Sequence, residues 1–244
     1  MNVMLFDRQI NPSLFEMNAD QVRHARKVLR AKEGDSLQVG LVNGPIGRAV
    51  VETLNRNEGV LRLERWVQES SPVRPWRIVI ALPRPPVFRR VLQLIGSLSL
   101  QHIVITNSAR VEKSYWDSHV VDDETIAHNI RLGMEQGVTT HQPKVECVCQ
   151  FQELLAWVDQ GYIVDENFWM IHPSTEAQMG FGPLHASDGG AQTLMIGPEG
   201  GWTDGEVEQL KLRGASLVSL GPNILKVESA VAYVMGMIQQ SQSA

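Results

Sequence analysis

Along residues 19–30, ADQVRHARKVLR, the apolar Val22, Ala25, Val28 and Leu29 recur at helical spacing, which predicts a short helix with one buried side. The pattern then changes to strand-like stretches at DSLQVGLV (35–42), GRAVVETL (47–54) and GVLRLERWV (59–67). Asn43-Gly44 and Asn57-Glu58-Gly59 separate them as hairpin turns. A short helix and a meander of strands within the first 70 residues predict a small β-barrel. SSPVRP, 70–75, is polar with two prolines and reads as a linker.

Beyond it, apolar runs of strand length alternate with amphipathic stretches. WRIVIAL (76–82), HIVITN (102–107), KVECVC (144–149), FWMIH (168–172), TLMIG (193–197) and SLVSLG (216–221) predict strands. Between and after them, PPVFRRVLQLIGSLSL (85–100), DDETIAHNIRLGMEQG (122–137), FQELLAWVDQ (151–160), TDGEVEQLKLRG (203–214) and ESAVAYVMGMIQQ (228–240) predict helices. Proline opens the first of these, and acidic residues open the second, as helix N-termini favour. The tail QSQSA is expected to fray. Strands alternating with helices imply a parallel α/β sheet. No internal repeat or low-complexity segment interrupts the pattern.

Composition narrows the picture. The chain has 244 residues, 43% of them hydrophobic, enough for a substantial core. The start, MNVMLFDRQI, lacks a basic region followed by a long apolar stretch, and the apolar runs are too short to span a bilayer, so a cytoplasmic protein is expected. Cys147 and Cys149 fall on one side of a strand. Their spacing is wrong for a zinc ribbon, which makes reduced thiols the reading to prefer over a metal site. No metal is expected.

The net charge is −5, which does not by itself suggest a nucleic-acid partner, but its distribution changes that. Arg23, Arg26, Lys27, Arg30 and Lys32 crowd residues 23–32, a run that a solvated helix face also explains. Arg74, Arg77, Arg84, Arg89 and Arg90 follow with no acid among them from 74 to 90, while acids gather at 122–124 and through 199–208.

Candidate chemistry sits in MIGPEGGWTDGEVEQL, 195–210. A strand ends at Gly197, and ligands of open α/β sheets bind outside the carboxyl ends of strands. Gly197, Gly200 and Gly201 allow close approach of backbone to a ligand. Thr203 and Glu206 form a T-x-x-E capping box that fixes the start of the next helix. The stretch is neither a Walker A loop nor a G-x-G-x-x-G fingerprint, which argues against an ordinary nucleotide-binding enzyme. Glu199 suits a cation or a ribose hydroxyl rather than phosphate. A second strand end, SLGPNILKVESAV (219–231), carries Lys226 and Glu228 into the last helix, where Glu228 also complements the helix dipole. Two such strand ends make a plausible pair of walls around one small molecule.

These two stretches resemble the 16S rRNA uridine-N3 methyltransferase family of RsmE type, within the trefoil-knotted SPOUT superfamily. The family pattern I-G-P-E-G-G-x-[ST]-x-x-E is similar to Ile196–Gly201, Thr203 and Glu206. The pattern L-G-x-x-I-L-R-x-E-T-A is similar to Leu220, Gly221, Ile224, Leu225, Glu228 and Ala230. HARKVLRAKEGDSLQV resembles the family's H-x-x-x-V-L-R-x-x-x-G-D at His24, Val28, Leu29, Arg30, Gly34 and Asp35, and IHP at 171–173 fits a strand end near the cofactor.

The resemblance spans nearly the whole chain. It implies a PUA-like RNA-binding β-barrel over 1–70, a linker over 71–76, and a SPOUT α/β domain over 77–244 with a C-terminal knot. It implies S-adenosylmethionine held mainly by backbone, with His172, Pro173, Ile196, Gly197, Glu199, Gly200, Gly201, Leu220, Gly221, Ile224 and Leu225 around it. His172 is equally readable as a packed strand-end residue. The implied reaction is methylation of a uridine ring nitrogen in 16S rRNA of the small ribosomal subunit by a homodimer. Lys226 would stabilise charge developing on the base, and Glu228 would accept a proton or orient its loop. Arg23, Arg26, Lys27, Arg30, Arg84, Arg89, Arg90 and Arg110 would contact RNA.

The chain departs from the family at Lys226 for Arg, Val227 and Ser229 for Thr, Ser97 and Ser99 for Glu and Gly, and Thr139 for Arg. These departures keep two alternatives open, a knotted methyltransferase acting on a different RNA and a non-catalytic RNA-binding homologue.

Overall fold

The computed structural model describes residues 2–162, 168–173, 178–179 and 192–241. The last residues of the expected frayed tail, 242–244, lie outside the described residues. Two units separate: Met1–Val73 with Gly96–Ser99 and Ile130–Gln142, and Arg74–Ile95 with Leu100–Asn129 and Pro143–Ala244.

The first unit holds a five-stranded sheet in the order β1-β3-β4-β5-β2. Its strands are β1 (Met4–Phe6), β2 (Leu14–Glu16), β3 (Ser36–Leu41), β4 (Ile46–Leu54) and β5 (Gly59–Gln68). The predicted meander is β3-β4-β5, antiparallel throughout, while β1 joins β3 in parallel and β2 joins β5 antiparallel. One core draws on every element of this sheet and on helix α1 (Ala19–Lys27): Met4, Phe6, Phe15, Val22, Ala25, Val39, Ala49, Val51 and Leu61 are all buried in it.

Helix α1 begins at an Asn18–Gln21 capping box and ends three residues before the predicted limit. Val28 caps it, and Arg30 turns the chain out at φ 52. Val28 and Leu29, expected on the buried side, are instead 64% and 39% exposed, because the helix has ended before them.

The second unit carries a seven-stranded, wholly parallel sheet in the order β10-β12-β9-β11-β6-β7-β8. Its strands are β6 (Arg74–Ala81), β7 (Leu100–Thr106), β8 (Lys144–Val148), β9 (Phe168–Ile171), β10 (Gln178–Met179), β11 (Gln192–Ile196) and β12 (Ser216–Ser219). β6 thus takes in Arg74 and Pro75, which the sequence reading gives to a linker. Strands covered on both faces read as continuous apolar runs, as in Ile78–Ala81, Ile103–Ile105 and Leu194–Ile196, all buried.

Helix α2 (Pro85–Gly96) sets Phe88, Val91, Leu92 and Ile95 on one stripe, each fully buried. It stops at Gly96, short of the predicted 100, because Leu100 already belongs to β7 and Ser99 reverses the chain at φ 55. A short α3 (Lys113–Trp116) follows β7, then α4 (Asp123–Gly137) and α5 (Phe151–Trp157); α6 (Asp204–Lys211) and α7 (Val227–Ser241) complete the fold.

Chain order and spatial order part company on one side of β6. The chain runs outward from β6 through β7 to β8, whereas β11 lies beside β6 and β9 sits between β11 and β12. The sheet therefore has a switch point between β6 and β11, where the strand ends leave a crevice for a ligand. The path from β9 to β11 falls largely on residues 174–177 and 180–191, outside the described residues.

Candidate functional site

The crevice is there. A cavity of 720 Å³ opens at the carboxyl ends of β6, β9, β11 and β12, within the range usual for a cofactor. Its walls include Arg84, Arg90, Arg110, His172, Pro173, every residue from Ile196 to Trp202, Leu220, Gly221 and Asn223–Glu228. All eleven residues expected around the cofactor, and both Lys226 and Glu228, line this one cavity.

The glycine loop is held from three sides. Within it, Gly201 N–H donates to Pro198 O at 2.8 Å, closing a tight turn with Gly201 at φ 68. At its far end, Thr203 caps α6. Glu206 Oε2 accepts from Thr203 N (2.8 Å) and Oγ1 (2.9 Å), which realises the predicted capping box. The other oxygen, Oε1, accepts from Ala109 N at 2.7 Å, tying α6 to the loop after β7.

From that same loop Arg110 reaches across, donating to Gly200 O (2.6 Å) and Trp202 O (3.2 Å). A Cβ at Gly200 would stand 3.2 Å from the Arg110 side chain, so any other residue would push on this clamp. Glu199 Oε1 accepts from Arg84 N at 3.0 Å, joining the loop to the end of β6.

The second wall is more open. Ser219 Oγ bonds both backbone groups of Gly221, which turns the chain at φ 116. Ile224 is 85% exposed and Leu225 37%, apolar rim surface that an adenosine-sized ligand would cover. Lys226 is exposed, and its carbonyl accepts the first helical bond of α7, from Ala230 N at 2.8 Å. Glu228 pairs with Arg90 at 3.1 Å. Its own backbone N–H, then Arg90 and Lys226, hold its carboxyl below the ordinary value.

His172, at the end of β9, is tied by its N–H to Val218 O at 3.1 Å. Burial, reinforced by Arg110 and opposed by Asp204, lowers its pKa, which favours a neutral imidazole at pH 7.

The expected RNA-binding residues divide. Arg84, Arg90 and Arg110 line the cavity; Arg89 does not. Arg110 bonds the glycine loop through Nη1, and Arg90 bonds Glu228 through Nη2. Arg23, Arg26, Lys27 and Arg30 are exposed on or just after α1 in the first unit, where Arg23 pairs with Asp20. Sequence reasoning missed two residues that hold the site. It gives Glu206 its cap but not its bond to Ala109, and it does not single out Trp202, 1% exposed beneath Gly197. Cys147 and Cys149 are free thiols, both raised in pKa by burial, Cys147 to about 11.

A family model described as an RNA methyltransferase domain matches residues 69–239, and one described as an RNA methyltransferase PUA domain matches 18–64. The chain is 28% identical over 228 residues to the ribosomal RNA small subunit methyltransferase E of Mycobacterium bovis, covering 91% of this chain and 84% of that one. It is 25% identical over 244 residues to the protein of the same name from Treponema pallidum, covering 98% and 90%. Its fold matches a crystal structure of ribosomal RNA small subunit methyltransferase E from Neisseria gonorrhoeae bound to S-adenosyl methionine. That match has a TM-score of 0.80 at 21% identity and covers 98% of this chain and 97% of that one.

Proposed function

Because the chain belongs to the RNA methyltransferase family, with the SPOUT fold and a PUA domain before it, we propose that it methylates N3 of a uridine in 16S rRNA, using S-adenosylmethionine. The observation that carries this reading is the single cavity into which both glycine-bearing strand ends, Lys226 and Glu228 converge. The names of the relatives supply the small-subunit rRNA. The same reading has the protein act on the 30S subunit, as a homodimer, in the cytoplasm. Among the described residues no helix is long and apolar enough to cross a membrane.

The walls suit the cofactor. Ile196, Leu220, Ile224 and Leu225 offer apolar surface for the adenosine, and the bare backbone of 197–201 offers amides and carbonyls at close range. Glu199 and Asp204 are carboxylates on the same cavity, where positive sulfonium and ammonium groups are favoured over phosphates. When bound, S-adenosylmethionine supplies an electrophilic methyl group on a good leaving group, so alignment of the base is the protein's main task.

The reaction breaks the methyl–sulfur bond and forms a methyl–N3 bond, with N3 losing its proton. Lys226 is an exposed cation on the cavity wall, and its role in this reading is to stabilise negative charge developing on the uracil oxygens. That charge favours the ionised ring, and the proton passes to solvent. Glu228 is a poor proton acceptor, because its neighbours hold it in the ionised form; its part is to orient Arg90. Burial of the reacting base in the cavity requires that it leave its stack in the RNA.

The test is to incubate the protein with tritiated S-adenosylmethionine and 30S subunits from cells lacking their own enzyme, then to map the label. Label on N3 of one uridine is the expected result. Label on another RNA alone would replace the substrate, and cofactor binding with no transfer to any RNA would leave a binding homologue.

A further inference from the structure

The exposed face of the first unit's sheet carries a charge arrangement that its own folding disfavours. Arg48 on β4 stands directly opposite Arg65 on β5. Gln38 on β3 completes the row on the other side of Arg48. Both arginines are exposed. Like charges directly opposite one another on a sheet repel and destabilise the pair.

The nearby carboxylates form no ion pair with them. Glu52 is taken by Arg62 at 2.6 Å, and Glu64 accepts from Ser36 Oγ at 3.1 Å. Among the described residues neither Arg48 nor Arg65 has an ion-pair partner. Two exposed guanidinium groups on cross-strand partner residues, with no ion-pair partner among the described residues, match an anion that offers several oxygens at once.

We propose that Arg48 and Arg65 form a phosphate clamp, through which the first unit grips the backbone of the RNA substrate. This rests on the RNA methyltransferase reading and extends it to residues outside the basic run on α1. A clamp of this kind positions RNA without reading its sequence, since phosphate contacts fix register and leave base identity to the catalytic cavity. The repulsion in the free protein is relieved when a phosphate binds between the two side chains.

The experiment uses the full chain and its R48A/R65A and R48K/R65K variants. Affinity is measured by fluorescence anisotropy for protein-free 16S rRNA fragments, for a short RNA duplex and for whole 30S subunits, over a series of salt concentrations. The parent binds both RNAs with a negative salt slope. R48A/R65A is expected to lose affinity for both and to flatten the slope by about 0.7–0.9 per lost contact. It should unfold at the same temperature as the parent or slightly higher, since it relieves a repulsion. Cofactor affinity serves as the folding control, and R48K/R65K should keep most of the slope.

An unchanged slope in R48A/R65A overturns the clamp. So does unchanged binding to naked RNA together with weaker binding to whole 30S subunits, which would assign the pair to an acidic protein surface. If the parent itself neither binds nor methylates any RNA, the reading of the whole protein fails instead, and that result is distinct from either of these.

Discussion

Replacing Glu206 by glutamine should loosen the glycine loop without removing any group that lines the cavity. The Glu206 carboxylate is 6% exposed and accepts three hydrogen bonds, from Ala109 N, Thr203 N and Thr203 Oγ1. Glutamine has one acceptor oxygen. If that oxygen keeps Thr203, the amide NH₂ faces the Ala109 N–H; if it keeps Ala109, the NH₂ faces the Thr203 backbone. In either case a donor meets a buried donor. Bonds to a charged acceptor contribute roughly 1.5–3 kcal/mol, so losing one and stranding its partner should cost about 3 kcal/mol. At roughly 2–4 °C per kcal/mol for a domain of this size, Tm should fall by about 6–12 °C in calorimetry. Part of the loss falls on the loop itself. Each 1.4 kcal/mol of it, approximately, weakens S-adenosylmethionine tenfold by titration calorimetry. Thr203→Ala, which leaves the Ala109 bond intact, should cost only about 1 kcal/mol. An E206Q protein within about 0.5 kcal/mol of the parent, binding cofactor equally well, would refute the claim that this carboxylate holds the loop.

Arg110→Ala should weaken cofactor binding several-fold while leaving the salt slope of RNA binding unchanged; a slope change with normal cofactor affinity would return Arg110 to the RNA. Lys226→Ala should lower kcat by roughly 10²-fold, as loss of a charge-stabilising group does, with cofactor Kd within about twofold of the parent; equal kcat would remove Lys226 from the reaction. Glu228→Gln should leave the shape of the kcat–pH profile between about pH 6 and 8 unchanged, because Glu228 is held below its ordinary 4.5 and is ionised throughout that range; loss of an acid limb would restore it as the base. In the first unit, burial raises the pKa of Glu135, whose Oε1 accepts from Leu5 N at 3.2 Å. A carboxyl raised on folding costs stability as pH climbs from its ordinary value of 4.5 through its folded value. Glu135→Gln, which keeps the acceptor, should therefore gain on the parent across that window in denaturant titrations, and a gap that stays constant with pH would contradict the assignment.

What the sequence made legible is local. The capping box at Thr203 and Glu206, the glycine turn, and the apolar stripe of α2 each follow from spacings of a few residues. The strands β1 and β2 escaped because three residues are too few for alternation to register, although Met4, Phe6 and Phe15 are core residues. Helix ends were overrun at α1 and α2, where Arg30 and Ser99 take left-handed φ with no glycine to announce it. The bonds that assemble the site are of another kind. Ala109–Glu206, Arg110–Gly200, Arg84–Glu199 and Arg90–Glu228 join residues 97, 90, 115 and 138 positions apart. No periodicity links such pairs. The resemblance assigns Arg110 and Arg90 to RNA, and their partners within the fold are invisible in a sequence.

The departures from the family pattern can now be sorted by where they fall. Ser99 and Thr139 stand where the family has Gly and Arg, and they meet each other: their hydroxyls are 2.5 Å apart and buried. Ser99 holds φ 55, a conformation that glycine adopts freely and serine at some cost, of order 1 kcal/mol. A buried hydroxyl pair returns about the same amount. Thr139 Oγ1 also accepts from His141 N at 3.3 Å, so the pair is anchored on both sides. Ser97 lies against Gly137, where any Cβ would come within 2.7 Å of it. These three positions belong to the first unit, and none lines the cavity. They replace one local packing solution by another and carry no argument for a changed cofactor. Of the departures, Lys226 and Val227 alone face the cavity, and only Lys226 is exposed there. Among these departures, a difference in chemistry from the family would run through Lys226, a point charge where a planar guanidinium fork is usual. An ammonium supplies charge to a uracil oxygen without fixing the plane of the ring. Lys226→Arg should for that reason lower the KM for RNA more than it changes kcat, and an unchanged KM would show that a guanidinium plane at this position adds nothing to binding of the ring.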